Sequence, residues 1–393
     1  MKTNNFKKNL FKFFLFQLSH RRHFFPILSI YFLSLPDVNA AQIGLYTGIG
    51  YLAGFLLEIP SSYFADNFGH KKTLILGKIL MVLSVVSFII ADGLSLFIIG
   101  SILLSASIAF TSGTDSAFIH NMLVSMKKGK EFTKIMSKNS ANVSFFSAIL
   151  IILLPFASKW SLVLPLQINL VFDLIGLVAV SSLVNPPARK RVEKYESTFK
   201  TLKKSVNYKF LPIALFTGLI GGFLLGDSAF RSPYLVSLGY PIVFIGLVMG
   251  VSRFIWFGIG HYAHYIKEKV GIKRLLQIEM FLFPFLYLLI VIFRNPFVVG
   301  AVSSMSIGYF WGRRAIINDY ILNKCLKNKN YKATVLSFSH QVQNIIEVVV
   351  AFLGGLLMNL SYQIGFAFLG LSLFVSLLIL YPWIHKRIFV NLP

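Results

Sequence analysis

The chain has 393 residues, of which 56% are apolar and only 13% charged, with a mean hydropathy of +0.72. A water-facing globular protein carries about 45 to 50% apolar and about 25% charged residues, so the composition excludes a soluble domain and indicates a polytopic membrane protein. The net charge is +24, from 38 Lys+Arg against 14 Asp+Glu, and the single cysteine, Cys325, allows neither an intrachain disulfide nor a cysteine-built metal cluster.

A membrane-spanning helix needs about 20 apolar residues. Twelve such runs lie near 10–35, 42–65, 73–91, 94–119, 135–157, 161–184, 210–230, 240–266, 274–293, 296–321, 333–358 and 361–384. They are continuously apolar, as in LILGKILMVLSVVSFII, and lack the alternation of an outer-membrane barrel. An all-α membrane protein with twelve transmembrane helices is expected. The first run imitates a signal peptide, with a basic start, the stretch FFPILSIYFLSLP and a following VNA-AQ. Residues 24–36 alone would reach only about 20 Å, too short to span. Extension back to Leu10 gives about 39 Å and sets Ser19, His20, Arg21, Arg22 and His23 near the bilayer midplane.

With the amino terminus inside, 29 of the 38 basic residues fall in cytoplasmic segments. Lys159, Arg231 and Arg294 fall in opposite loops, and Arg21, Arg22, Lys78, Arg253, Arg313 and Arg314 fall inside spans. This asymmetry follows the positive-inside rule and puts both termini in the cytoplasm of an inner, plasma-type membrane. Nucleic-acid binding loses its support, because the charge is topological; contact with anionic membrane lipid is its by-product.

The longest polar stretch, residues 185–209, follows six spans and precedes six more. The expected organisation is an amino-terminal six-helix bundle (1–184), a basic cytoplasmic linker (185–209) and a carboxyl-terminal six-helix bundle (210–393), an architecture of transporters built from repeats. A short echo supports it: SSYFADNFGHKK (61–72) follows span two and GHYAHYIKEKVGIKR (260–274) follows span eight.

The first of these segments resembles the signature between helices 2 and 3 of the major facilitator superfamily (MFS). Asp66, Gly69, Lys71 and Lys72 match it, as does the preceding Glu58-Ile-Pro60, while Ser62, Asn67 and His70 depart from it. Ser-Gly-Thr-Asp-Ser-Ala (112–117) and Ala-Thr-Val-Leu-Ser (333–337) are similar to a bacterial branch of the same superfamily. The resemblance implies two pseudo-symmetric six-helix halves of the MFS fold, helices 1, 4, 7 and 10 lining a central cavity, an Asp66 loop that latches a cytoplasmic gate, and halves that rock to expose the site alternately. Physically, Gly69 suits a tight turn and Asp66 could accept hydrogen bonds at a helix amino terminus; a plain charged turn is the alternative.

An ionisable group inside a span costs several kcal/mol and marks a functional candidate. The amino half offers His20, Arg21, Arg22, His23, Glu58, Lys78, Asp115 and Asp173; the carboxyl half offers Asp227, Arg253, Glu279, Arg313, Arg314, His340 and Glu347. Arg21 and Arg22 would point about 100° apart on a helix, so one faces a cavity while the other pairs with Glu58 or Asp115. The candidates for the solute path are Arg21, Arg22, Asp115, Asp227, Arg253, Arg313 and Asn344. Those for a proton-coupling carboxylate are Glu58, Asp227 and Glu347, with permanent neutralisation by an arginine such as Arg253 or Arg313 as the alternative. Ser337, His340, Asn344, Glu347 and Ala351 form one polar face of span eleven, which bounds a cavity or binds neighbouring helices. Small residues at every fourth position, including Gly218, Gly222 and Gly226, favour close helix packing.

No Walker A motif, metal-ligand cluster or reactive group expected of a membrane enzyme is present, so neither a cofactor nor a metal is expected. The expected activity is secondary transport of a small polar or anionic organic solute by a monomer, coupled to protons. Multidrug efflux by proton antiport is the alternative within the class, and a channel or membrane-embedded receptor the alternative outside it.

Overall fold

The computed structural model describes residues 3–185, 205–327 and 332–389. Residues 186–204, most of the expected basic linker, lie outside the described residues. Among the described residues the regular structure is α-helix with short 3-10 and π turns, joined by short connections, and the one β contact is an isolated antiparallel bridge between Val206 and Leu326. In chain order the α-helices are α1 (Thr3–Ser19), α2 (Phe25–Phe32), α3 (Ala40–Phe68), α4 (His70–Ile89), α5 (Leu94–Thr111), α6 (Thr114–Ser125), α7 (Phe132–Leu153) and α8 (Leu164–Ser181). They continue with α9 (Phe210–Gly226), α10 (Ser228–Ser237), α11 (Ile245–His261), α12 (Ala263–Ile292), α13 (Pro296–Gly312), α14 (Arg314–Tyr320), α15 (Lys332–Leu360) and α16 (Tyr362–Ile384).

Nine stretches among the described residues are long and apolar enough to cross a membrane, and the α9–α10 pair, bent by 43°, makes ten. The two further expected spans, the first and tenth, are interrupted. The first is not one helix over 10–35: α1 ends at Ser19, Arg22 takes a left-handed φ of +47°, and α2 restarts with Pro26 in its first turn. Proline has no N–H to donate to the carbonyl four residues back, here that of Arg22, and suits a first turn, which favours a break there. The expected 100° fan of Arg21 and Arg22 around a continuous helix is therefore replaced by two arginines in a turn.

Spans four and seven break as well. Gly113, with φ +72°, separates α5 from α6, and Asp227 separates α9 from α10 directly after Gly226. Span ten parts at Arg313, directly after Gly312. Each of the four breaks has a proline or glycine beside it and an ionisable residue at or next to it. Broken helices are tolerated at membrane depth where protein or a cavity satisfies the freed backbone groups.

The chain divides into two compact units, one of Met1–Val38, Ile49–Val192 and Ile242–Leu247, the other of Asn39–Gly48, Glu193–Pro241 and Val248–Pro393. In the first unit, the cluster of Phe13, Phe16, Phe118, Met122, Leu123 and Val180 anchors α1, α6 and α8 together. Helices α4 and α5 approach closely: the Ser84 and Ser107 hydroxyls donate to the carbonyls of Gly100 and Gly77, each at 2.6 Å. In the second unit, a Cβ on Gly226 would meet Val350 at 2.8 Å, and one on Gly218 would meet Val342 at 3.0 Å, so the small-residue row of α9 seats against α15. Apolar side chains such as Ile379 (75% exposed) and Phe257 (71%) face outward, as acyl-chain contact requires.

The sequence echo has a backbone counterpart. Gly69 (φ +88°, ψ +148°) opens α4 and Gly271 (φ +71°, ψ +158°) interrupts α12, so both occupy a region essentially closed to other residues. Counting back from these glycines sets Glu268 in the place of Asp66, and counting on sets Lys273 and Arg274 in the places of Lys71 and Lys72.

Candidate functional site

In the first unit, the break in span one delivers His20, Arg21 and Arg22 beside the break in span four. His20 Nε2 lies 3.0 Å from Thr111 Oγ1, and the Thr111 hydroxyl also reaches the Ser107 carbonyl at 2.9 Å. Asp115 stands in the first turn of α6, where the helix dipole favours an anion, and accepts from the Ser116 amide at 2.5 Å. Its other oxygen accepts from Gln17 Nε2 at 2.9 Å, and Gln17 Oε1 accepts from Asn139 Nδ2 at 2.5 Å. Arg21 is exposed and interacts electrostatically with Asp115 at a separation beyond a salt bridge. Arg22 is half-buried, 5.9 Å over the Phe25 ring. Gln17 and Asn139 went unrecognised in the sequence, because a neutral amide in an apolar run carries no charge signal.

Beneath this group Lys78 and Asp173 form a fully buried ion pair at 2.5 Å, and Asn169 Nδ2 donates to the second Asp173 oxygen at 2.7 Å. Both charges are answered within the bundle.

In the second unit, Asp227 is enclosed. Arg231 Nε lies 2.7 Å from its Oδ1, Arg231 Nη2 lies 3.1 Å from Oδ2, and Tyr287 Oη donates to Oδ2 at 2.5 Å. Arg231 Nη1 also donates to Ser306 Oγ at 2.9 Å. Arg231 therefore lies inside the helix bundle: it is 4% exposed and one turn along α10 from Asp227, so its assignment to an outer loop is corrected. The helix continues past the apolar run that ended the expected span at residue 230, and the ion pair makes burial of the arginine affordable.

Arg313 pairs with a different carboxylate. Its Nη1 lies 3.3 Å from Glu279 Oε2, while Tyr309 Oη donates to Glu279 Oε1 at 3.1 Å. The guanidinium is flanked by the Phe310 and Phe283 rings at 5.2 and 5.7 Å, and its Nε and Nη2 are buried with no hydrogen-bond partner. A cavity of about 120 Å³ lies here, with Arg313, Arg314, Asn318, Ser339, His340 and Gln343 among its lining. His340 Nδ1 lies 3.2 Å from Asn344 Oδ1, and Gln343 Nε2 donates to Glu347 at 2.7 Å, leaving Glu347 5% exposed. Of the face read from the sequence (Ser337, His340, Asn344, Glu347 and Ala351), His340 lines this cavity, whereas the lining residues Ser339 and Gln343 lie outside that face.

The other expected residues lie apart from these groups. Glu58 is half-buried within α3, and its backbone carbonyl accepts from Ser61 and Ser62 Oγ at 3.0 Å each. Arg253 is half-buried in α11. Asp66 is exposed at the end of α3, Lys71 is half-buried and Lys72 exposed at the start of α4, and Gly69 makes the turn between them.

The sequence profile of the Major Facilitator Superfamily matches residues 13–345. The MFS-type transporter YxaM of Bacillus subtilis (strain 168), itself uncharacterized, is 23% identical over 240 residues; the match covers 59% of this chain and spans 59% of that relative's length. Among solved structures, the nucleoside transporter NupG superposes with a TM-score of 0.75 at 13% identity, covering 98% of this chain and 99% of that one. A peptide transporter POT in complex with sulfate gives 0.73 at 11%, covering 97% and 95%. A bacterial homologue of the human lysosomal transporter Spinster, inward-facing and occupied, gives 0.69 at 13%, covering 98% and 97%. At such identities these structures speak for the fold alone. The profile spans most of the chain and the fold agrees with it, so this multi-pass membrane protein belongs to the Major Facilitator Superfamily.

Proposed function

We propose that this protein is a secondary active transporter that moves a small polar or anionic organic solute across the plasma membrane by alternating access, driven by protons. The observation that carries the reading is the coincidence of breaks and charges: spans one, four, seven and ten each part beside Arg21–Arg22, Asp115, Asp227 and Arg313. Half-helix termini and ionisable groups at membrane depth are the means by which transporters bind polar cargo. The basic residues favour an anionic or zwitterionic solute, with Arg21 and Asp115 offering both signs of charge within one unit.

Of the coupling candidates, Asp227 is held by Arg231 in two hydrogen bonds and is the least free to exchange a proton. Glu347, which accepts from the Gln343 amide, and Glu58 carry the coupling in this reading. Asp66, Gly69, Lys71 and Lys72 form the cytoplasmic gate, residues 1–184 and 210–393 act as the two moving halves, and the protein works as a monomer with both termini in the cytoplasm.

Reconstitution into vesicles under an imposed pH gradient tests the proposal, with an entrapped pH dye and a panel of labelled carboxylates. Saturable, gradient-dependent uptake that falls in Arg21→Ala/Arg22→Ala supports it. Gradient-independent flux at channel rates would overturn it.

A further inference from the structure

We propose that the cavity in the second unit is an oxyanion subsite, in which Arg313 and Arg314 receive the carboxylate or phosphate group of the solute. This deepens the transporter reading and rests on it. Arg313 is 2% exposed, yet two of its nitrogens, Nε and Nη2, have no hydrogen-bond partner. Its charge is met by Glu279, and the Phe283 and Phe310 ring centroids lie 5.7 and 5.2 Å from its guanidinium carbon. A guanidinium has five N–H donors, and buried donors left unmade are costly, so these two call for an acceptor that the protein itself does not supply.

The neighbouring Arg314 is exposed and lies 5.1 Å over the Trp311 ring; among the described residues no carboxylate comes within salt-bridge distance of it. No Asp or Glu lines the cavity, whereas Asn318, Ser339 and His340 add polar groups. With Arg313 balanced by Glu279, the lining carries one unanswered positive charge, that of Arg314, which matches one oxyanion. The planar forks of arginine suit two-point binding of carboxylate or phosphate oxygens. The space, about 120 Å³, has room for an oxyanion head group. The phosphate of an anionic lipid offers the same chemistry, and the test separates the two sources.

The protein is purified into phosphatidylcholine nanodiscs and titrated at constant ionic strength with acetate, inorganic phosphate and, as control, chloride. Tryptophan fluorescence reports occupancy, since Trp311 stacks near Arg314 and lies 5.7 Å from Trp256. The expected result is a saturable change with acetate or phosphate and none with chloride, weakened by about tenfold to a hundredfold in Arg314→Gln, the loss expected for a charge-assisted hydrogen bond. Lys159→Gln, an exposed charge outside the cavity, leaves it unchanged. If Arg314→Gln fails to fold, Ser339→Asp, which adds a carboxylate to the lining, is expected to give the same loss. No saturable response to either oxyanion, or equal binding by wild type and variants, would overturn the subsite. Loss of the response in nanodiscs containing phosphatidylglycerol, not regained as acetate or phosphate is raised, would assign the cavity to lipid and overturn the solute assignment. Gradient-driven uptake without oxyanion binding overturns the subsite alone; oxyanion binding without uptake overturns the transporter reading alone.

Discussion

Lys78 and Asp173 meet at 2.5 Å with neither side chain exposed, tying α4 to α8 across the interior of the first unit. Removing one partner strands the other charge, so Asp173→Ala is expected to lower stability by about 3–5 kcal/mol. The double substitution Lys78→Met/Asp173→Leu replaces both charges with apolar bulk and is expected to recover most of that loss. Denaturant titration of the purified protein checks both; additive losses would show that the pair does not act as a unit.

The bidentate grip of Arg231 on Asp227 sets up a test of the proposed coupling residue. Glu347→Gln is expected to abolish proton movement that accompanies solute entry while leaving solute exchange between preloaded vesicles intact. Asp227→Asn/Arg231→Gln is expected to retain gradient-driven uptake in the fraction that folds. Pyranine-loaded vesicles report the first quantity and labelled solute the second.

Gln17 is the bridge between Asn139 and Asp115. Replacement by Leu keeps the bulk and removes a hydrogen bond to a charged group, worth about 1.5–3 kcal/mol. If the group binds solute, Gln17→Leu raises the KM for uptake by about tenfold or more with little change in expression; an unchanged KM would place the network outside the path.

Nothing lies within 4 Å of a Cβ built on Gly69 or Gly271, so substitution meets no steric clash with neighbours. Backbone conformation alone decides the outcome. Gly69→Ala and Gly271→Ala are each expected to cost about 1–3 kcal/mol, measurable by thermal unfolding, although both sites are open.

Cys325, on the π turn after α14, is fully buried, and burial pushes its thiol up to about 12. An ordinary thiol titrates near 8.5, so at pH 8 Cys325 holds about three orders of magnitude less thiolate. Maleimide is expected to leave the folded protein unlabelled and to react once it is denatured; rapid labelling of the native protein would contradict the burial.

The charged residues at membrane depth were legible one at a time. Arg21, Asp115, Asp227 and Arg313 stand out because a charge in an apolar run is costly wherever it ends up. Their partners were not legible. Arg313 answers Glu279 and Arg231 answers Asp227, whereas the sequence offered Arg253 and Arg313 as equal candidates and left Arg231 in a loop. Gln17 and Asn139 gave no sign at all. The breaks were half legible: Pro26, Gly113, Gly226 and Gly312 were visible, but glycine and proline also occur inside continuous spans here, as Pro60 does in α3 and Pro284 in α12.

Hydrophobic length, charge asymmetry and the echo at Gly69 and Gly271 are properties of the chain in one dimension, and they sufficed for an all-α membrane protein of the MFS fold. Which charges neutralise one another, and which donors of Arg313 stay unused, depends on side chains from separate helices meeting within 3 to 4 Å. That register is fixed by packing, through contacts such as Gly226 on Val350 and Gly77 on Thr111, and no linear pattern encodes it.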